Sequence, residues 1–375
     1  MPLLAVAVML FTLGRMAARK ALWQGSGAVG SFAKYTTTVV GAYSVPRWYE
    51  ALEKLVERDE LTLADITDAQ HRATQAAILD QETAGIDLIN GGEMHRRTNN
   101  RHAPANAMLN FFWQKIPAFQ GETRDKPITL EDPDICHPAA VCRGPITDDI
   151  DLGLVDEYHL VRRYARGEVK ITMTGPHMLA KLAWDENYGS IKEMMLDLAK
   201  LMNRNFRRLA DAGCRYLQID EPLFCTADDD EVEAAVNAIN LAIEDVDMQV
   251  LTHVCQGNYA VGVHYDGQLG HRYFATGRYP AQLISGIDCQ ALLIEHDMTP
   301  HYRDCLGEQH LGVGAADVQD LTVETPETIA ERIEAHSWLA PEQTMITSSC
   351  GMNHLPRHIA FGKLNAMTAA KRILS

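Results

Sequence analysis

A chain of 375 residues, 46% of them hydrophobic, is long enough to bury a large core, either in one barrel-sized domain or in two smaller ones. A formal net charge of -16 and a pI near 5.4 argue against nucleic acid or an anionic membrane surface as main partner and leave a small molecule as the default substrate. Eight cysteines at this length are too sparse for a secreted disulfide scaffold and fit a reducing, cytoplasmic compartment, while no apolar run reaches the roughly 20 residues of a spanning helix.

Residues 1–35 differ from the rest. Leu3 to Leu13 is apolar, Arg15, Arg19 and Lys20 follow, and no acidic residue precedes Glu50. A secretory signal carries its positive charge before the apolar run, so this segment reads as a mis-assigned start or a loosely attached extension. The fold is expected in residues 36–375 as a single domain.

That domain opens on a β-branched run, Thr36 to Val40, stopped at Gly41. Pro46 suits the first turn of a helix reaching Asp59, and a second helix is expected from Thr62 to about Ala84, with Ala69, Ala73, Ala76 and Ala77 on one face. Further strands are expected at Asp87–Asn90, Val169–Thr174, Arg215–Ile219, Gln249–Val254, Ala291–Ile294, Leu311–Gly314 and Met345–Thr347. Helices are expected between them, at Ile191–Ala212, Glu231–Glu244, Pro326–His336 and Leu355–Ile373. Eight strands alternating with helices predict a (β/α)8 TIM barrel rather than an open doubly wound sheet, and no glycine-rich dinucleotide fingerprint follows the first strand. Residues 94–150 and 256–279 lack clear periodicity and read as long insertions after strands, which in a barrel build the substrate pocket.

The chemistry-bearing residues fall at strand ends. His253 and Cys255 stand two apart on a strand and so share a face, and Cys350-Gly351 follows another strand. An imidazole and two thiols suit zinc, with Glu295, after Ala291–Ile294, as a further candidate ligand. Taken alone, a His-x-Cys pair is more often core packing than metal ligation. Asp220, in Asp220-Glu221-Pro222, either caps a helix or meets a substrate ammonium or proton at its strand end. Arg96, Arg97 and Arg101 form either a solvated loop or an anion pocket of forked donors. Cys136, His137 and Cys142 lack a fourth ligand and are taken as structural or incidental, and Cys214, Cys225, Cys289 and Cys305, without ligand-like spacing, as packing thiols.

In order, Val39-Val40-Gly41, Gly92-Glu93, Gln218-Ile219-Asp220-Glu221-Pro222, His253-Val254-Cys255, Ile294-Glu295 and Cys350-Gly351 resemble the zinc-containing catalytic half of cobalamin-independent methionine synthase and its shorter single-barrel relatives. The resemblance implies a cytoplasmic zinc-dependent thiol S-alkyltransferase in which a zinc-bound thiolate attacks an alkyl or methyl donor. It implies that His253, Cys255, Glu295 and Cys350 coordinate Zn2+ and that Glu93 and Asp220 contact an amino-acid-like substrate. The expected partners are a small-molecule thiol and an alkyl donor, without nucleic acid or membrane; a homo-oligomer stays open. Two positions depart from the pattern: Ala42 stands where the family has Ser, and Gln319 where it has a proton-relay His.

The same family includes epoxyalkane:coenzyme M transferases, and this alternative would use the arginines for a sulfonate and His264, His271 and Tyr273 as proton donors to an alkoxide. A uroporphyrinogen-decarboxylase-like barrel without catalytic zinc and a non-catalytic protein with a structural zinc are the other readings.

Overall fold

The computed structural model describes residues 32–96, 107–127, 136–255, 279, 281–295 and 303–375. Ala33–Ser375 forms one compact unit. Residues 33–35 already belong to it, since the Tyr35 amide donates to Thr344 O at 2.9 Å and Thr36 Oγ1 to Ala33 O at 2.7 Å.

In chain order the described elements are β1 (Thr36–Thr37), α1 (Arg47–Glu57), α2 (Thr67–Ala84), β2 (Leu88–Ile89), α3 (Ala107–Trp113), β3 (Thr123–Pro127), β4 (Cys136–Cys142), α4 (Leu154–Tyr164) and β5 (Glu168–Thr174). They continue with α5 (Pro176–Lys181), β6 (Trp184–Asp185), α6 (Ile191–Asp211), β7 (Tyr216–Asp220), α7 (Asp229–Ala242), β8 (Gln249–Val254), α8 (Ala281–Gly286) and β9 (Ala291–Ile294). The last are α9 (Arg303–Leu306), β10 (His310–Ala316), α10 (Pro326–Glu334), β11 (Thr344–Ser348) and α11 (Arg357–Leu374).

Eight parallel strands run in the order β1-β11-β10-β9-β8-β7-β5-β2, and a parallel bridge from Thr38 to Leu88 links the two ends. Each strand thus lies beside its predecessor, as a (β/α)8 barrel requires, and the expected fold class stands. All the expected strands are present with boundaries shifted by a few residues.

Alternation along the strands explains the layers. In β5, Val169, Ile171 and Met173 join the core under the helices, while Lys170, Thr172 and Thr174 take the other face. The outer layer is closed by helix faces such as Met194, Leu198, Leu201, Met202, Phe206 and Leu209 of α6. Helix starts follow local chemistry: Asp228 accepts from the Glu231 amide ahead of α7, and Thr325 from the Thr328 amide ahead of α10.

Some expectations shift. Pro46 is the residue before α1 rather than part of its first turn, and α2 begins at Thr67 because Thr62 and Asp65 bond each other in a local turn. The 94–150 insertion carries elements of its own, α3 and the antiparallel strands β3 and β4, and β4 also pairs in parallel with β6 beyond the insertion. Seven residues of helix are too few to reveal a period. Among the described residues no helix is long and apolar enough to cross a membrane.

Candidate active site

The barrel's carboxyl-end mouth gathers the expected strand-end residues. His253 is the penultimate residue of β8 and Cys255 follows the strand, so the strand's alternation turns both one way and Val254 into the core. Cys350 comes two residues after β11. One ligand atom from each of His253, Cys255 and Cys350 lies within 4.8 Å of the others, although 95 residues of sequence separate the second from the third.

His253 and Cys255 are buried, Cys350 is partly exposed, and the three influence one another's charge. Burial alone would lower the His253 pKa, but the Cys350 sulfur, Asp220 and Glu295 outweigh it and raise it. Hydrogen bonding from Cys255, reinforced by His253 and opposed by burial, holds the Cys350 thiol well below its ordinary range. Neither ring nitrogen of His253 meets a hydrogen-bond partner of ordinary geometry, so this buried imidazole faces the sulfurs. One imidazole and two thiols, that of Cys350 acidified, converging on a point form a soft donor set of the kind zinc takes, with a fourth position left over. Glu295, buried at the end of β9, acts on His253 as a negative charge but stands outside the three-residue cluster.

Two carboxylates flank this cluster. Asp220 closes β7 directly opposite His253 of β8 in the strand register. Its Oδ1 accepts from Gln218 Nε2 at 2.6 Å, and burial pushes its pKa up against the pull of His253. Glu93 follows β2 with a φ of 58°, just after Gly92 at 70°. Its Oε1 accepts from Thr172 Oγ1 at 2.5 Å and from Arg96 Nη1 at 3.3 Å. Gly41 permits this placement, because a Cβ there would lie 2.5 Å from Glu93 Oε1.

Other expected residues are placed differently. Arg96 is 1% exposed, and its Nη2 donates to both oxygens of Glu157, at 3.1 and 2.9 Å, and to Thr172 O. It therefore faces protein carboxylates rather than an incoming anion, and the arginine-pocket reading does not hold for it. Arg97, Arg101, His264, His271 and Tyr273 lie outside the described residues. Glu221 accepts from the His177 and Met178 amides at 2.9 and 3.0 Å, so it caps the turn into α5. His137 is buried in β4 and stacks on Trp113. The two departures also have backbone roles: Ala42 O accepts from the Met352 amide at 2.7 Å, and the Gln319 amide donates to Asp317 Oδ1 at 2.9 Å.

Sequence reading missed Lys170, Thr172, Gln218 and Glu157. The first three left a signal, since polar residues at alternate positions of otherwise apolar parallel strands must point into the barrel.

The fold and mouth together define a parallel-barrel enzyme scaffold with a soft-metal donor set beside paired carboxylates. The sequence profile described as "Cobalamin-independent synthase, Catalytic domain" matches residues 35–372, and the chain belongs to that family. It is a methionine-synthase-like catalytic domain. The methionine synthase of Thermococcus kodakarensis is 30% identical over 342 residues, covering 90% of this chain and 93% of that protein. That of Sulfurisphaera tokodaii is 28% identical over 349 residues, covering 90% and 92%. Among solved structures, the B12-independent methionine synthase of Shewanella sp. W3-18-1, in complex with selenomethionine, superposes with a TM-score of 0.73 at 21% identity, covering 91% of this chain and 98% of that one. Family membership displaces the decarboxylase-like reading.

Proposed function

We propose that this chain is a zinc-dependent methyltransferase acting on the thiol of an amino acid of the homocysteine type, with residues 36–375 as the catalytic unit. The observation that carries the reading is the convergence of His253, Cys255 and Cys350 within 4.8 Å at the mouth of the barrel. These three residues would hold the zinc, and Glu295 is the candidate for a further ligand. When bound, zinc supplies the positive charge that keeps a substrate thiol ionised, and therefore nucleophilic, near neutral pH.

The chain's own groups do the rest. Two cysteine sulfurs would offset the charge of the metal they hold. Asp220, opposite His253, and Glu93, held by Thr172 and Arg96, present carboxylates to a substrate ammonium. Thr172 and Arg96 keep the Glu93 carboxylate from swinging, so little orientation is left to be fixed on binding. The methionine synthase relatives, matched over nine-tenths of the chain, favour methyl transfer over epoxide opening. Cytoplasmic localisation and small-molecule partners follow from the same reading.

The test is direct. The purified protein should contain one zinc per chain, and a cobalt-substituted form should change its absorption spectrum on addition of homocysteine but not of coenzyme M or glutathione. Cys350→Ala or His253→Ala should abolish metal retention and activity together. Full activity of metal-free Cys350→Ala would sink the proposal, and a spectral response to coenzyme M alone would turn it toward epoxide chemistry. Glu295→Gln should weaken zinc binding far less than either.

A further inference from the structure

Beneath the two carboxylates, the barrel interior holds a lysine and a glutamine that the chemistry above does not use. Lys170 is fully buried at an inward position of β5, where an ammonium is tolerated only if its donors are satisfied. Its Nζ donates to Val39 O and, at 2.5 Å, to Gln218 Oε1. Gln218 Nε2 donates in turn to Val40 O at 2.7 Å and to Asp220 Oδ1 at 2.6 Å.

Every polar atom of the Gln218 amide is thereby committed. An ammonium can only donate, so the amide atom facing Lys170 is the carbonyl oxygen and the amino group faces Asp220. The reverse orientation would set that oxygen against the Val40 carbonyl and the Asp220 carboxylate. Paired β1 ends at Thr37, and the carbonyls of Val39 and Val40 beyond it are the ones this pair takes up. A continuous brace therefore runs from the end of the first strand, across β5 and β7, to one oxygen of a site carboxylate.

We infer that Lys170 and Gln218 are positioning residues: their brace aims Asp220 at the substrate's amino group and so sets selectivity for an amino-bearing thiol over the same thiol without the amine. The inference rests on the reading of Asp220 as an ammonium partner. A brace with a merely structural role would lower stability without altering which thiol is preferred.

Isothermal titration of the full-length, zinc-loaded protein with L-homocysteine and with 4-sulfanylbutanoate, its analogue lacking the amine, separates these roles. The wild type should prefer homocysteine by at least about tenfold, as one charge-assisted hydrogen bond allows. Asp220→Asn serves as reference and should lose most of that preference. Lys170→Met, with Gln218→Met as the second variant should the first not fold, should match Asp220→Asn to within about twofold while binding 4-sulfanylbutanoate and zinc like the wild type. Wild-type preference in whichever brace variant folds, together with its loss in Asp220→Asn, would overturn the brace. Preference retained in Asp220→Asn would instead overturn the ammonium assignment, and the inference with it.

Discussion

Gly41 shows how far a single side chain governs the mouth. A Cβ at this position would stand 2.5 Å from Glu93 Oε1, too close unless the carboxylate moves, and 3.2 Å from its Cδ, a tight contact. Glu93 cannot retreat freely, because Thr172 and Arg96 hold the same oxygen. Gly41→Ala should therefore push the carboxylate off its partners and raise KM for the amino-acid thiol by about tenfold or more, with zinc content unchanged. Steady-state kinetics with metal analysis checks this, and an unchanged KM would show that Glu93 does not meet substrate. At this scale the sequence was legible where a residue's chemistry is local: His253, Cys255 and Cys350 stand at strand ends whose direction alternation dictates. It misled at Arg96, since three arginines in a short run look like an anion pocket while the carboxylate that neutralises Arg96 sits 61 residues later. Lys170 and Gln218 were illegible as a pair because their contact crosses two strands.

Among elements, the Arg96–Glu157 pair is the cross-link that ties the segment after β2 to α4, with Thr172 O of β5 as a third party. Burial would raise the Glu157 pKa, but Arg96 and then His95 outweigh it and bring it down to about 2, against 4.5 for an ordinary Glu. A depressed carboxylate contributes stability that is present in full above about pH 4.5 and disappears as pH falls through about 2. Glu157→Gln leaves the guanidinium buried beside a neutral amide and should cost about 3 kcal/mol at neutral pH. Urea midpoints at pH 6, 4 and 3 should show the gap between wild type and variant narrowing as the acid protonates Glu157; a gap constant with pH would mean that the pair is not ionic. The element pattern itself was legible to within a few residues for the eight barrel strands, since buried parallel strands read as short apolar runs between turn residues. Within the 94–150 insertion it was not, because α3 is short and β4 gains its partners from β3 and from β6, some 40 residues later.

Barrel closure is the property of the whole molecule that makes the site, since it lays β8 and β11 in one parallel wall with β9 and β10 between them. The alternation of strands and helices announced that closure, because only a closed parallel ring lets each strand pair with its predecessor and the last return to the first. What alternation could not announce is how closely the sulfurs approach, which depends on the stagger of β11 against β10, where the register shifts between Gly314 and Ala316. A metal held by His253, Cys255 and Cys350 would therefore pin the β8 end to the β11 end across that irregularity. It would bind the folded chain and not the unfolded one, so free zinc at a thousandfold excess over Kd should add about 4 kcal/mol to stability. For a domain of this size that is a rise in melting temperature of roughly 5–10 °C. Calorimetry of the wild type before and after chelation should show that difference, reversed on returning zinc. Cys350→Ala should melt near the chelated wild type and ignore added zinc, whereas Lys170→Met should lose stability yet keep the full zinc-dependent increment. An equal zinc response in wild type and Cys350→Ala would place the metal elsewhere on the molecule.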